Sequence, residues 1–151
     1  MSNQLEGNNN NNKIIKTTVV DATPKTVFNA IVDERQLQQW SPANQGAIFE
    51  QKVGGTVQFE TFTYDTQKTY IIRGKVLELI PEKKISYTWK VDAQSKYPET
   101  ILTWTLEKTA GNKTKVILAH YGLPKEEYKR DAIEGWTYFM ERLANYCEQK
   151  P

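Results

Sequence analysis

Hydrophobic and polar positions change period twice along this chain. Residues Ile14 to Val20 are rich in β-branched side chains and read as a first strand. Asp21-Ala22-Thr23-Pro24 follows. Thr23 suits a helix N-cap, and Pro24 suits the first helical position, where its missing N–H is not needed. Val27, Phe28, Ala30 and Ile31 then recur at helical spacing, which predicts a helix from Pro24 to about Val32. A second short helix, about Glu34 to Gln39, leads to Trp40. It stops at Ser41-Pro42, because a residue before proline avoids helical dihedrals.

Beyond Pro42 the period becomes that of strands. Ala47 to Glu50 reads as a weak strand and Gly54-Gly55 as a turn. Thr56 to Tyr64 alternates, with Val57 and Phe59 on one face; Phe62 and Tyr64 break the register and suggest a bulge. Asp65-Thr66-Gln67 turns the chain. Thr69 to Ile80 is a long strand whose internal Gly74 marks a bend or bulge. After the Pro81-Glu82-Lys83 turn, Lys84 to Val91 puts Ile85, Tyr87 and Trp89 on one face. A polar loop, 92–98, ends in Pro98. Thr100 to Leu106 places Leu102, Trp104 and Leu106 together. Ala110-Gly111-Asn112 predicts a hairpin turn, and Lys113 to His120 puts Val116, Leu118 and His120 on one face.

The final segment returns to helical spacing. Ala132, Trp136, Phe139, Met140, Leu143 and Cys147 form one stripe with Ala144 beside it, while Glu134, Glu141, Arg142 and Glu148 fall on the remaining surface. The helix should reach from about Glu126 to Gln149. The order is therefore a strand, two short helices, about six antiparallel strands and one long helix. A meander has one face to cover and the helix one stripe to bury, so the two should pack together. Because sheets twist, the sheet should curl around the helix, giving an α+β fold with a curved antiparallel sheet of six to seven strands.

Composition narrows the classes of function. The chain has 151 residues, which suits one domain, 13–150, after an Asn-rich tail at 1–12 that buries too little apolar surface to order itself. Its formal net charge is +2, so no electrostatic footprint for nucleic acid or an anionic membrane is expected. No stretch approaches the roughly 20 apolar residues of a membrane span. Residues 1–12 carry no run of the signal-peptide type, and the single cysteine, Cys147, fits a reducing compartment; a cytoplasmic location is expected. One histidine and one cysteine are too few for a zinc site of nitrogen and sulfur ligands, and no phosphate cradle or nucleophile elbow is present, so no cofactor is expected.

The ordered elements resemble the START-like helix-grip superfamily, also called SRPBCC or Bet v-like. They are most similar to the domain family of activators of the 90-kDa heat-shock chaperone ATPase. The likeness runs from about Thr17 to Tyr146. It is carried by Val20-Asp21-Ala22-Thr23-Pro24 with Val27-Phe28-Asn29-Ala30, by Leu37-Gln38-Gln39-Trp40, by Gly54-Gly55 and the strand to Phe59, and by Gly74 to Pro81 with Ile85-Ser86-Tyr87-Thr88-Trp89. Thr114 to His120 with Gly122, and Gly135-Trp136 with Leu143, complete the series. Many relatives carry a tryptophan doublet where this chain has Trp40-Ser41, and the asparagine tract lies outside the pattern. The resemblance implies the helix-grip fold, a cavity between helix and sheet, and a chaperone as one class of partner.

The inward candidates for that cavity are Trp40, Phe59, Tyr70, Tyr87, Trp89, Trp104, His120, Trp136 and Met140. They can line a pocket for a small apolar or amphipathic ligand, or they can pack a solid core. His120 can bind a ligand's polar group, act as a general base with a nearby tyrosine, or be a hydrogen-bonded core histidine. Gly135 costs the helix roughly 1 kcal/mol against alanine. It either lets the helix approach the sheet or leaves room beside Trp136. No catalytic constellation stands out. The expected function is a non-catalytic binding domain, monomeric or weakly dimeric. A chaperone-partner domain and a cyclase- or hydrolase-like enzyme using the same cavity are the alternatives.

Overall fold

The computed structural model describes residues 12–41, 46–62, 69–91 and 98–149. The strands are β1 (Lys13–Val20), β2 (Ile48–Phe49), β3 (Thr56–Phe62), β4 (Thr69–Ile80), β5 (Lys84–Val91), β6 (Thr100–Thr109) and β7 (Lys113–Tyr121). The helices are α1 (Pro24–Val32), α2 (Glu34–Trp40) and α3 (Glu126–Glu148). All seven strands join one antiparallel sheet in the order β1-β7-β6-β5-β4-β3-β2. Only β1 is out of sequence: it pairs with β7, Lys13 opposite Tyr121 and Val20 opposite Thr114, so the chain's first strand closes against its last. This is the curved sheet and long helix that alternation and helical period predict.

Local chemistry sets the element ends. The Thr23 hydroxyl accepts the Thr26 N–H at 3.3 Å, with Pro24 opening α1. Asp33 ends α1 and caps α2, its carboxylate accepting the Arg35 N–H at 3.3 Å. Gly111 (φ 77°) and Asn112 (φ 60°) turn the β6–β7 connection through a short 3₁₀ segment, where the left-handed region favours these two residue types. The second strand is shorter than its alternation suggests: Ile48–Phe49 instead of Ala47 to Glu50. The bulge expected near Phe62 and Tyr64, the Asp65-Thr66-Gln67 turn, residues 92–97 and the first eleven residues of the Asn-rich tail fall outside the described residues.

The break in β4 lies elsewhere than its glycine. Val76 faces Tyr87 and Glu78 faces Ser86, so Leu77 is the extra residue of a bulge. Burial follows: Val76 is buried, Leu77 and Glu78 are exposed, and Leu79 turns inward again. Gly74 answers a different need. A Cβ there would collide with the carbonyl oxygen of Thr88, whose hydroxyl takes the Lys75 N–H at 2.8 Å, so β4 and β5 approach too closely for a side chain.

The core lies between the concave sheet face and α3, with α1 and α2 across one end. Val20, Val57, Ile72, Ile85, Leu102, Val116, Leu118 and Leu143 are fully enclosed. Helix α3 buries the expected stripe from Trp136 to Cys147, and also Tyr128 in its first turn. Arg142 departs from its expected place on the polar surface. It is half-buried, and its Nε donates to the carbonyl of Trp40, joining α3 to the end of α2. Tyr146 adds a second link, its hydroxyl donating to Gln36 Oε1 at 3.1 Å.

Candidate functional site

Period-2 alternation on β3, β5 and β6 aims Phe59, Tyr87, Trp89 and Trp104 at the helix. The helical stripe of α3 returns Trp136 and Phe139 toward the sheet. At the open end, α1 and α2 contribute Ile31, Leu37, Trp40 and Ser41. These ten side chains line one cavity. All four tryptophans of the chain are among them. The cavity is small, about 20 Å³, which is room for about one water molecule.

The rings fill most of the remaining space by edge-to-face packing. Trp104 stands at 90° to Trp136 with centroids 5.6 Å apart, and Trp89 lies 5.3 Å from Trp136. Phe59 meets Trp89 at 5.7 Å, and Trp40 meets Trp104 at 6.5 Å and 87°. Such geometry sets the positive edge of one ring against the negative face of the next. Three of the four indole N–H groups also have protein acceptors. Trp40 donates to the Ala30 carbonyl at 2.8 Å, Trp104 to the Tyr87 hydroxyl at 3.2 Å and Trp136 to His120 Nδ1 at 3.1 Å. Among the described residues no buried side-chain nitrogen or oxygen is left without a partner.

His120 sits behind this wall, not on it. An indole N–H only donates, so Nδ1 of His120 must accept, and the ring proton lies on Nε2. Nε2 is 2.7 Å from the Thr100 hydroxyl, which in turn donates to the Trp89 carbonyl at 3.2 Å. The chain of donors therefore runs from Trp136 through His120 and Thr100 to the backbone of Trp89. Burial with no neighbouring carboxylate lowers the His120 pKa to about 3, so the ring is neutral at pH 7. Burial likewise pushes the Tyr87 phenol up, although the Trp104 hydrogen bond opposes this. The histidine–tyrosine pair considered from sequence is not formed: the partners of His120 are Trp136 and Thr100, and its one basic lone pair is already engaged.

The nine sequence candidates therefore divide. Trp40, Phe59, Tyr87, Trp89, Trp104 and Trp136 line the cavity. His120 buttresses two of them from behind. Met140 is buried on the same helix but does not line the cavity, and Tyr70 on β4 is half-buried and does not line it either. Gly135 does not serve close packing, since nothing lies within 4 Å of where its Cβ would be. Sequence reasoning passes over Ile31, Leu37, Ser41 and Phe139 as lining residues and Thr100 as the partner of His120. Phe139 was within reach through the helical stripe. The others depend on how α1 and α2 sit over the sheet. Among the described residues no cluster of three or more histidine, cysteine or acidic side chains could hold a metal ion, and no helix is long and apolar enough to cross a membrane.

A curved seven-stranded antiparallel sheet around a long C-terminal helix, with two short helices across the end of an aromatic cavity, defines the START-like helix-grip class. Within it, the chain belongs to the family described as Activator of Hsp90 ATPase homolog 1-like protein, whose model matches residues 21–148. Solved structures agree on the fold. Protein CV1439 from Chromobacterium violaceum is similar at a TM-score of 0.80 and 24% identity, over 92% of this chain and 99% of that one. The protein PFC0360w of Plasmodium falciparum, an HSP90 activator, is similar at 0.70 and 22%, over 87% and 93% of the two chains. The Aha1 dimer from Colwellia psychrerythraea is similar at 0.70 and 21%, over 91% and 96%. No curated protein matches the sequence.

Proposed function

We propose that this protein is a non-catalytic binding domain that takes a compact, uncharged aromatic or apolar molecule between α3 and the sheet. The observation that carries this reading is the convergence of every tryptophan in the chain on one cavity lined by no charged side chain. Four indoles are a costly way to fill a core that aliphatic side chains could fill, but they suit a flat apolar guest. The lining polar groups constrain that guest. Three of the four indole N–H groups are taken up by Ala30, Tyr87 and His120, so the lining offers a guest few polar groups. A charged ligand would have no counter-charge and would pay its full desolvation. Catalysis has no support from the same geometry, since His120 is neutral, enclosed and hydrogen-bonded through both nitrogens.

A thermal-shift panel of neutral flavonoids, polyketide-like aromatics and lipids tests this reading, with tryptophan fluorescence as a second signal. A binder should raise Tm by several degrees and quench the indoles. A panel with no shift and no quenching would sink it.

The narrowness of the cavity favours a second reading, a protein-interaction domain acting on a chaperone. Family membership and the HSP90 activator among the similar structures support it. An assay of chaperone ATP turnover separates the two: stimulation by the ligand-free domain favours this second reading, and no effect favours the first.

A further inference from the structure

Strand β1 is one edge of the sheet. Among the described residues only β7 pairs with it, in register over all eight residues of β1 and without a bulge. The Gly122 N–H bonds to the Asn12 carbonyl, one step before Lys13 meets Tyr121. Bonded and non-bonded pairs alternate along an antiparallel ladder. Ile14, Lys16, Thr18 and Val20 therefore bond to β7, and the backbone groups of Lys13, Ile15, Thr17 and Val19 point away from the sheet. The side chains of Ile15, Thr17 and Val19 are also exposed, Ile15 at 54% and Val19 at 53%.

Natural sheets guard such edges with proline, bulges, charges or very short strands. The opposite edge, β2, has only two residues. The β1 edge is long and regular, with no proline, and its lysines are its one guard. Lys16 shares the helix side with buried Ile14 and Val20, and Lys13 stands at the first position, its ammonium 5.3 Å from the centre of the Tyr121 ring.

The strand is complementary to itself. Turned about a two-fold axis at Thr17, an antiparallel copy sets Ile15 opposite Val19, Ile14 opposite Val20, Lys16 opposite Thr18 and Lys13 opposite Asp21. Exposed apolar residues meet, and each end brings a cation to an anion. Exposed Glu148 adds to the acidic end, accepting the Asp21 N–H at 3.0 Å. The neighbouring registers do worse. An axis at Lys16 puts two lysines face to face, and one at Thr18 puts Ile15 against Asp21.

We propose that two copies of this chain pair β1 to β1 about Thr17, joining their sheets into one. The backbones of Ile15, Thr17 and Val19 hydrogen-bond across the axis, and Lys13 of each copy meets Asp21 of the other. The same patch serves both copies, so the contact closes as a dimer and does not propagate.

Sedimentation velocity from about 1 µM to about 1 mM, a span suited to so small a contact, should show a monomer–dimer equilibrium that weakens as salt is raised. Lys13→Glu and Asp21→Lys each set like charges together at both ends, and each should weaken dimerisation at least about ten-fold. Mixed in equal amounts the two variants should recover it, since each then meets its opposite. Lys13 is half-buried and Asp21 exposed, so neither change empties the core, and circular dichroism checks that both fold. Thr17→Pro removes an N–H that makes no bond to β7, so the monomer keeps its ladder; the dimer loses its central pair and should weaken by a similar factor. By NMR, the amides of Ile15, Thr17 and Val19 should gain exchange protection as concentration rises. A monomer at every concentration overturns the proposal. So does a dimer that Lys13→Glu leaves unchanged, or a mixture of the variants that stays monomeric. Dimerisation that appears only once residues 1–11 are removed would give the edge to that segment in the intact chain and overturn it as well.

Discussion

At the scale of single residues, the most consequential finding concerns His120. Its neutral state in the fold, with a pKa near 3 against an ordinary 6.5, links stability to acidity. Below pH 6.5 the unfolded chain binds a proton at this ring and the folded chain does not. Stability is therefore full above pH 6.5 and falls as pH drops toward 3, by about 1.4 kcal/mol for each pH unit. Urea midpoints between pH 7 and 4 should fall with that slope. In His120→Gln, which keeps a donor and an acceptor but does not titrate, the fall should shrink to the part due to carboxylates. Trp136→Phe should cost about 3 kcal/mol, because it removes indole packing and leaves Nδ1 of His120 enclosed without a donor. Chemical denaturation measures it, and a loss under 1 kcal/mol would mean that water replaces the lost bond. Alternation along β7 places His120 on the inward face but says nothing of its partners. Those come from α3, sixteen residues away, and from Thr100 on β6.

At the scale of elements, the short helices and the bulged strand are where local preference and packing meet. Helix α2 has seven residues, too few to be stable alone. It is held by Asp33 at its start, by Glu34, which accepts the Phe49 N–H at 2.8 Å, and by the α3 side chains at its end. Arg142→Met keeps the apolar stem but loses the donor to Trp40. It should lower stability by about 1–2 kcal/mol and speed exchange in α2 specifically. In β4, Gly74→Ala forces a methyl group against the Thr88 carbonyl. The strands must part, at a cost of about 2–4 kcal/mol by thermal or urea melts. Gly74→Ala as stable as the unaltered protein would show that the β4–β5 approach is not fixed. Periodicity identifies α2 and β4 correctly. It misplaces the irregularity of β4, because a glycine in a strand signals either a bend or a close approach, and only the neighbouring strand decides which.

At the scale of the whole molecule, β1 and β7 join residues about a hundred positions apart, from Lys13 opposite Tyr121 to Val20 opposite Thr114. Closing so long a loop is slow, so refolding should take milliseconds to seconds and the β1 contacts should form late. Val20→Ala, at a fully buried β1 position, should therefore mainly speed unfolding and barely slow refolding in stopped-flow chevrons. A matching slowdown of refolding would place β1 in the folding nucleus instead. Residue order alone establishes the succession of elements, the inward faces of β3, β5, β6 and β7 and the buried stripe of α3, because those follow from periods of 2 and 3.6 residues and from nearby caps. It also pointed to Trp40, Phe59, Tyr87, Trp89, Trp104 and Trp136 as facing one space. Tertiary structure alone decided how much of that space is left. It turned the rings edge to face until about 20 Å³ remained, set His120 behind the wall, left Tyr70 out of the cavity lining, and brought Arg142 across to the Trp40 carbonyl. Periodicity fixes a direction for each side chain. How far it reaches, and what it meets there, depends on the distance between elements remote in the chain.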